Sequence, residues 1–457
     1  MPIRKLHRLI RHQHQRGVGT LAVTVLLLLG ASIVLLYLNR NVIFEQRIST
    51  NQMRAASAHE ISEAGLEWAI GMFNHSQKID ASCSDGNLTS DLSFRSRYIR
   101  FPVHPVSGLP VTASTVDKPM YPDVLPGCSI NAVDGGLSCS CPDSGTATLD
   151  LGAGASHFTV RFEPEKDDVD ISDSTKFHWE TVRITSIGCV AATGACTPSG
   201  EKAVANTANA DATALTSVAV KLRPAIRRKP LAPLICGGDC ELSSGFKIIN
   251  TSATAGGLLI IAGGKIDEYD EENLQTIPGI PLKSAIIEDD PSLSLLTKND
   301  GACDNEAIFQ SYFGSSIDQY GHAPTTRIIE CGQCETNVQE AYAEGARTFF
   351  FPNGLHLENF SGSELGTTAE PVILVTPSHF RIDANITVHG VIFSNSMETN
   401  TMESGPLNIH GAIVTCARFK GNGNGTLRYS DEVMANVSRH NSQLARVPGS
   451  WRDWGSP

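Results

Sequence analysis

The chain has 457 residues, of which 41% are hydrophobic, and this is enough to bury cores in roughly three domains. Its 48 acidic and 36 basic residues give a formal net charge of −12. Nucleic-acid binding requires a basic face, so this balance argues against it, and we expect no nucleic-acid partner.

The chain begins with a basic segment, which is followed by an uncharged segment. Lys and Arg residues, with no acidic residue, occupy the stretch up to Gly17, and the uncharged run from Val18 to Leu38 follows. A helix of this length spans roughly 30 Å, the thickness of one bilayer core. The basic flank keeps the N-terminus in the cytoplasm and sends the remaining chain across the membrane.

Three interpretations compete for this segment. A cleaved secretory signal has an apolar core of about 7–15 residues with a small-residue site close behind it. This run is longer, and Ala56-Ser57-Ala58 lies too far away. The second interpretation is an uncleaved anchor. The third places a cut at Gly17, before the run, and leaves the hydrophobic helix on the mature protein.

The helical pattern continues beyond the apolar run. No proline interrupts Arg40 to Phe73, and apolar residues recur there at spacings of three and four, namely Ala58, Ile61, Gly65, Trp68 and Met72. We therefore expect one helix over 18–73, transmembrane over 18–38 and amphipathic beyond. Its second half should pack on a globular head.

Three motifs resemble those of PilX-type minor pilins of type IV pili. Arg16–Leu21 resembles a class III prepilin cleavage region, Ser62–Ala69 resembles the helix motif, and Pro448–Trp454 resembles the tail of long members. The resemblance implies that a prepilin peptidase cuts after Gly17 and methylates Val18.

The resemblance also implies a place and a set of partners. The assembly helix would include Glu63, Gly65 and Trp68. The protein would stand in the bacterial inner membrane as a single-pass protein with a periplasmic head, and then at the pilus tip on the cell surface. Its partners would be other minor pilins and the major pilin, with a large tip adhesin as a further candidate.

Ala22 departs from the family pattern. Most pilins carry Glu at the fifth position of the mature chain, where the carboxylate is thought to meet the N-terminal amine of the subunit above. A subunit with nothing above it needs no such carboxylate, because an unpaired acid in lipid is costly. Ala22 therefore predicts a tip position.

Twelve cysteines follow the apolar run, and an exported compartment favours disulfides. Three closely spaced pairs are candidates, namely Cys189 and Cys196, Cys236 and Cys240, and Cys331 and Cys334. The last two pairs also admit zinc, but they are far apart and no His pair accompanies them, so disulfides or free thiols are favoured. We expect no metal and no cofactor, and the connectivity stays open.

Residues 74–222 predict a β head. Long loops are expected over 74–156. Three segments then alternate apolar and polar residues, namely Phe158–Phe162, Phe177–Ile187 and Thr216–Leu222. They predict an antiparallel meander with one apolar face against the helix.

A linker over 223–233, rich in proline and basic residues, leads to a β-rich domain over 234–457. Ile386–Ser394 and Leu407–Thr415 match at a spacing of 21 residues, with His389-Gly390 aligned to His410-Gly411. Such a repeat suggests coils of a parallel β-solenoid, interrupted by a helical insertion at about 265–370. The paired histidines are either a metal site or stacked turn residues.

The predicted fold class is therefore α+β, and the predicted function is structural. The sequence contains no G-x-S-x-G, H-E-x-x-H or P-loop motif, so we expect no catalytic residues. The favoured function is a minor pilin that initiates or caps a type IV pilus. One alternative is the tip pseudopilin of type II secretion, which also lacks the Glu but usually has a helical insertion. The other is a membrane-anchored surface protein that binds or hydrolyses carbohydrate.

Overall fold

The computed structural model describes most of the chain. The described residues are 16–86, 88, 91–99, 124–131, 135–151, 155–166, 177–190, 194, 196–199, 204–206, 210–243, 245–298, 302–331, 334–358, 360, 364–400 and 406–453. Most of the predicted leader and Trp454 of the tail motif lie outside them.

The longest element is helix α1, Arg16–Asn74, with 59 residues in one piece. Large apolar side chains from Leu21 to Met53 are exposed. An 18-residue window within the helix has a mean hydropathy of 2.7 and is not buried by the protein, so α1 is long and apolar enough to cross a membrane. The predicted long N-terminal apolar helix is thus confirmed.

The head has strands and one short helix arranged around the second half of α1. In chain order they are β1 (Lys78–Ile79), β2 (Leu92–Ser93), α2 (Phe94–Tyr98), β3 (Gly127–Ile130), β4 (Leu137–Ser140), β5 (Ser156–Lys166), β6 (Phe177–Val190), β7 (Thr197–Ser199), β8 (Val204–Asn206), β9 (Ala212–Arg223) and, near the C-terminus, β26 (Gln443–Arg446). Six of them form an antiparallel sheet in the order β26-β9-β6-β5-β3-β4.

Alternation along the long strands builds the head core. Phe158, Val160 and Phe162 occupy every second position of β5 and are all buried. The end of α1 packs against these side chains. The centroid of the Phe73 ring lies 4.7 Å from that of Phe162 and 5.0 Å from that of Phe94. The sheet therefore buries its apolar face on the helix, as the α+β prediction requires.

The next unit is a β-solenoid in which every strand pairing is parallel. Its strands are β10 (Leu234–Cys236), β11 (Cys240–Leu242), β12 (Lys247–Ile249), β13 (Ile260–Ala262), β14 (Ile266–Asp267), β15 (Leu274–Gln275), β16 (Ile286–Ile287), β17 (Thr326–Ile328), β18 (Thr348–Phe350), β19 (Leu355–Leu357), β20 (Glu364–Leu365), β21 (Val372–Val375), β22 (His379–Ile382), β23 (Thr387–Asn400), β24 (Leu407–Asn422) and β25 (Gly425–Arg428).

The coils do not stack in chain order. One face of the solenoid, here called the first face, runs β17-β18-β21-β23-β24-β10-β13-β16. The earliest strand, β10, lies within the stack, where its Leu234 pairs with Ile413 of β24. The chain therefore builds outward to β16, crosses to the opposite end, and builds back until it meets its own first coil.

Helices make the crossing and cover parts of the solenoid. They are α3 (Pro291–Ser294), α4 (Asn305–Phe313) and α5 (Ile317–Gly321) in the crossing, α6 (Cys334–Ala343) after β17, and α7 (Asp431–His440) after β25, with short 3-10 turns at Glu271–Asn273 and Leu282–Ser284. Phe309 of α4 and Val437 of α7 join a buried cluster with Phe393 on the outside of the first face. A second cluster, including Ile392 and Ile413, fills the solenoid interior.

The repeat of His-Gly marks a corner of the solenoid. His389 pairs with His410 and Gly390 with Gly411, in the register that the 21-residue spacing predicts. Gly411 has a φ of 145°, and a Cβ there would lie 1.8 Å from the carbonyl oxygen of Gly390. Only glycine allows two coils to approach this closely at the turn.

The predicted insertion at about 265–370 is divided differently in the structure. Strands β14 to β16 and β17 to β20 within that range belong to the solenoid, and the helical crossing occupies only the part between β16 and β17. These strands have two to three residues each, so they are too short for an alternating pattern to appear in the sequence.

The linker and the tail also differ from the predicted boundaries. Ile226 and Ala232 of the predicted linker are buried against the first face, so this segment is packed. After α7 the chain returns to the head, where Gln443 of β26 pairs with Arg223 of β9. The solenoid is therefore inserted between two neighbouring antiparallel strands of the head.

Candidate assembly interface

The exposed half of α1 is a bare apolar surface. Gly17 and Val18 lie in its first turn, and Ala22 is exposed among apolar neighbours. The hydroxyls of Thr24 and Ser32 donate to carbonyl oxygens of the preceding turn, at 2.9 and 2.7 Å. Polar groups that are satisfied within the helix suit a lipid or helix-bundle environment.

The docked half of α1 touches the sheet through small residues. Ala58, Ser62, Gly65 and Ala69 recur at spacings of three and four and are all buried. Opposite them is Gly188 of β6, where a Cβ would lie 2.3 Å from the Ala58 carbonyl oxygen and 2.4 Å from the Ser62 nitrogen. Helix backbone and strand backbone are therefore in direct contact.

Ser62 adds a polar link at this contact. Its hydroxyl donates to the carbonyl oxygen of Ser186 at 2.9 Å and lies 2.6 Å from the hydroxyl oxygen of Thr216. All three residues are buried, so the bonds are shielded from water. One side chain thus ties α1 to both β6 and β9.

Gly65 and Trp68, from the motif that resembles the minor pilin helix, lie on the same docked face. A Cβ on Gly65 would meet the Ser186 hydroxyl at 2.2 Å and the Phe158 ring at 2.9 Å. The Trp68 ring is half-buried and packs on Phe94 and Phe158 at 5.4 and 5.5 Å between centroids. These residues hold the head on the helix.

Glu63 lies on the opposite side of the helix. Its side chain is 47% exposed, and its carboxylate is 4.0 Å from His59 Nδ1. Glu67 pairs with Arg446 of β26, again at the surface. Exposed pairs of this kind contribute little to stability. Glu63 therefore remains accessible to a partner.

The tail motif is brought beside the helix motif. The backbone of Arg452 exchanges two hydrogen bonds with Ser217 of β9, at 2.7 and 2.8 Å. The Ser450 hydroxyl accepts from the Ala219 nitrogen at 3.0 Å. The Trp451 ring stands edge-on to His59 of α1, 6.1 Å away. The two motifs, distant in sequence, therefore form one surface of the head.

All twelve cysteines form disulfides. The pairs are Cys83–Cys141, Cys128–Cys139, Cys189–Cys196, Cys236–Cys240, Cys303–Cys416 and Cys331–Cys334. In this state no thiolate is available to ligate zinc, because metal binding requires the deprotonated thiol.

Two clusters of metal-ligating residue types occur among the described residues. One joins His157 to the Cys189–Cys196 disulfide, but its Nε2 accepts a hydrogen bond from the Cys196 nitrogen at 3.0 Å. Burial lowers the pKa of His157, so the ring stays neutral. This histidine therefore acts as a core residue.

The second cluster is exposed, on the solenoid. His356 Nε2 lies 3.0 Å from Asp383 Oδ2 and 3.4 Å from Glu358 Oε1. Arg381 Nε donates to the same Asp383 oxygen at 2.6 Å. A guanidinium on that oxygen competes with any metal cation, so the cluster is better described as a surface charge network.

His389 and His410 stack at the solenoid corner, with centroids 4.7 Å apart and ring planes 11° from parallel. Burial lowers the pKa of both imidazoles, and for His410 the neighbouring His389 and Arg428 lower it further. Neutral rings can stack this closely, whereas two cations would repel each other. The geometry is that of stacked corner residues.

Sequence reasoning missed Ser62 as a link, together with Gly188 and Thr216. Ser62 stands in the recognised helix motif, but its partners depend on which strands cross the helix. The glycine that directly follows the predicted segment Phe177–Ile187 was the one available signal, because an isolated strand glycine often marks a close backbone approach.

Comparisons with known proteins add little. No family model matches this chain, and no curated protein matches it. Among solved structures it is similar to the competence-associated pilin ComZ from Thermus thermophilus, at 9% sequence identity and a TM-score of 0.19, with 87% of this chain and 97% of that chain covered. A TM-score of this size does not establish a shared fold.

Proposed function

We propose that this chain is a PilX-type minor pilin that initiates assembly of a type IV pilus and caps its tip, with no catalytic activity. The observation that supports it is α1, which is bare and apolar over 21–38 and docked on the head over 58–69. One continuous helix thus joins a lipid-compatible segment to a folded head. The bare segment is free to bundle with the helices of other minor pilins and of the major pilin.

The inserted solenoid supports a terminal position. It leaves the head from the edge pair of β9 and β26, beside α1. Along a shaft, such a bulky unit would have to fit between neighbouring subunits, whereas a subunit at the tip has free space beyond it. A large tip adhesin is the partner that such a unit would meet. Ala22 supports the same position.

Sequencing the mature N-terminus tests this function. A prepilin peptidase that cuts after Gly17 would leave N-methylated Val18 as the first residue. Gly17→Leu should block the cut and leave an uncleaved protein in the inner membrane. An N-terminus at Met1 or beyond residue 38, or normal maturation of Gly17→Leu, would contradict the proposal.

Ala22 fits the tip pseudopilin of type II secretion equally well, so this is the second candidate. Deleting the gene separates the two. Loss of twitching and of surface pili would support the pilus function, and loss of exoprotein secretion would support the pseudopilin. Normal pili together with glycan binding by the full chain would instead favour a surface carbohydrate-binding protein.

A further inference from the structure

A cleft lies between the head and the solenoid, just beyond the end of α1. Its volume is about 110 Å³, enough for several waters or one small ion. Lys78 and Arg95 of the head and Arg347 of the solenoid line it. Small-molecule sites occur preferentially in clefts between two folded units.

Two of these cations lack a counter-ion. Arg95 is half-buried, and it donates from Nε to the Phe73 carbonyl oxygen at 3.1 Å and from Nη1 to the Ser442 hydroxyl at 3.2 Å. Within the described ranges, no carboxylate lies within 4 Å of the charged group of Arg95 or Lys78. Burial lowers the pKa of Arg95 to about 10, which reflects the cost of keeping this charge from water.

The acidic residues that line the cleft do not neutralise Arg95 or Lys78. The Asp91 carboxylate accepts from the Leu88 nitrogen at 2.8 Å, and Glu370 pairs with Arg347 Nη2 at 2.8 Å. The Nη1 of Arg347 also donates to the carbonyl oxygens of Tyr342 and Ala346, both at 2.9 Å. The unmatched positive charge of the cleft therefore lies on Arg95 and Lys78.

We propose that this cleft binds a small free oxyanion, of the phosphate or carboxylate class, between Arg95, Lys78 and Arg347. Such an ion would accept from the Lys78 ammonium and the Arg95 guanidinium, with Arg347 beside it on the solenoid side of the cleft. A lipid headgroup is not the source, because Phe73 lies roughly 50 Å along the helix from Arg40, at about 1.5 Å per residue. The site does not depend on the function proposed above.

Binding of inorganic phosphate and of acetate to the full detergent-solubilised chain tests the proposal. Calorimetric titrations at matched ionic strength, with chloride as the reference anion, should show one saturable site. Arg95→Gln should weaken binding by at least about tenfold, because it removes a charged donor. Lys78→Gln should weaken it as well. Arg418→Gln, at an exposed solenoid position, is the matched control and should bind normally.

Three outcomes would overturn the site. They are no saturable binding of either anion, unchanged affinity in both Arg95→Gln and Lys78→Gln, or an equal loss in Arg418→Gln, which would mean non-specific attraction. If Arg95→Gln fails to fold, Lys78→Gln decides, since the Lys78 side chain has no partner among the described residues. Phosphate and acetate are measured separately, so their relative affinities identify the class of ion.

Discussion

Gly188 shows how one missing side chain sets the distance between α1 and the sheet. The strand passes so close to the helix that its Cα faces the backbone between Ala58 and Ser62. The Ser62 hydroxyl forms its hydrogen bonds at the same point. Both the packing and the hydrogen bonds of this contact therefore depend on the distance between α1 and the sheet. A larger residue at 188 would disturb both.

Gly188→Ala should therefore destabilise the head by about 1–3 kcal/mol, because backbone atoms cannot move aside as a flexible side chain can. Thermal unfolding of the detergent-solubilised chain measures this. Gly71→Ala is the control, since a Cβ there meets nothing within 4 Å and alanine favours the helix by about 0.5–1 kcal/mol. Equal melting temperatures for the two variants would show that the close contact is unimportant.

Ala22→Glu tests the position of the subunit. At a tip, the new carboxylate would have no amine to meet, and an acid at the bilayer centre costs roughly 2.5–3.5 kcal/mol, less near the helix end. Pilus number should fall or stay the same. In a shaft subunit the same change would restore contact with a neighbour, so more pili, or immunogold labelling along their length, would refute the tip position.

At the scale of elements, the stacked histidines link the solenoid to pH. In the folded state the pKa values of His389 and His410 lie below the ordinary 6.5, so the unfolded chain binds protons first as the pH falls. Their contribution to stability is present above pH 6.5 and is lost below it. The Glu364 carboxylate raises the pKa of both histidines and so opposes this shift, whereas Arg428 lowers the pKa of His410 further.

Acidification from pH 7.5 to 5 should therefore lower the melting temperature, and replacing both His389 and His410 by Gln should make the dependence shallower. His157, buried in the head, contributes with the same sign and should leave a residual slope. His322→Gln, at an exposed helix end, serves as the control. A slope that is unchanged in the double variant would contradict this account.

The disulfide Cys303–Cys416 fixes the helical crossing to the first face. It closes a loop with a sequence separation of 113, whereas Cys331–Cys334 spans a separation of only 3. Since a disulfide stabilises mainly by restricting the unfolded chain, replacing Cys303 and Cys416 by Ser should cost about 2–4 kcal/mol. The Cys331 and Cys334 double Ser variant should cost less in the same denaturant titration. A larger loss of stability in the Cys331 and Cys334 variant would show that the helical crossing does not depend on the Cys303–Cys416 disulfide.

The solenoid was only partly predictable from the sequence. β23 and β24 are long strands that carry the same His-Gly corner, so their repeat could be recognised in the sequence. The remaining coils have short strands between irregular loops, and the pairing of Leu234 with Ile413 joins distant segments without any local signal. In the same way, Gly65 and Trp68 could be singled out by resemblance, whereas the role of Gly188 depends on tertiary packing.

At the scale of the whole molecule, the chain is a helix and head with a solenoid placed inside one β-hairpin. The chain leaves the head sheet at Arg223 and re-enters it at Gln443, directly opposite. Three of the disulfides, namely Cys83–Cys141, Cys128–Cys139 and Cys189–Cys196, lie entirely within the head. The head therefore has the contacts of an independent unit.

Replacing residues 224–442 with Asn-Gly should leave α1 and the head folded, because this two-residue turn suits a tight antiparallel hairpin. Protease resistance and mass mapping of the three head disulfides measure the outcome. Under the proposed function, the shortened protein should still support pilus assembly. A head that unfolds without the solenoid would show that the two units stabilise each other.

The hairpin insertion also determines how the molecule bears mechanical load. Both connections to the solenoid leave from the same end of the β9–β26 pair, so a pull on the solenoid would peel these strands apart, one hydrogen bond after another. Asn74 opposes this at the next position, because its amide donates to the Leu444 oxygen at 3.0 Å and accepts from the Leu444 nitrogen at 2.8 Å. Tension would therefore pass from β26 directly into the C-terminal end of α1.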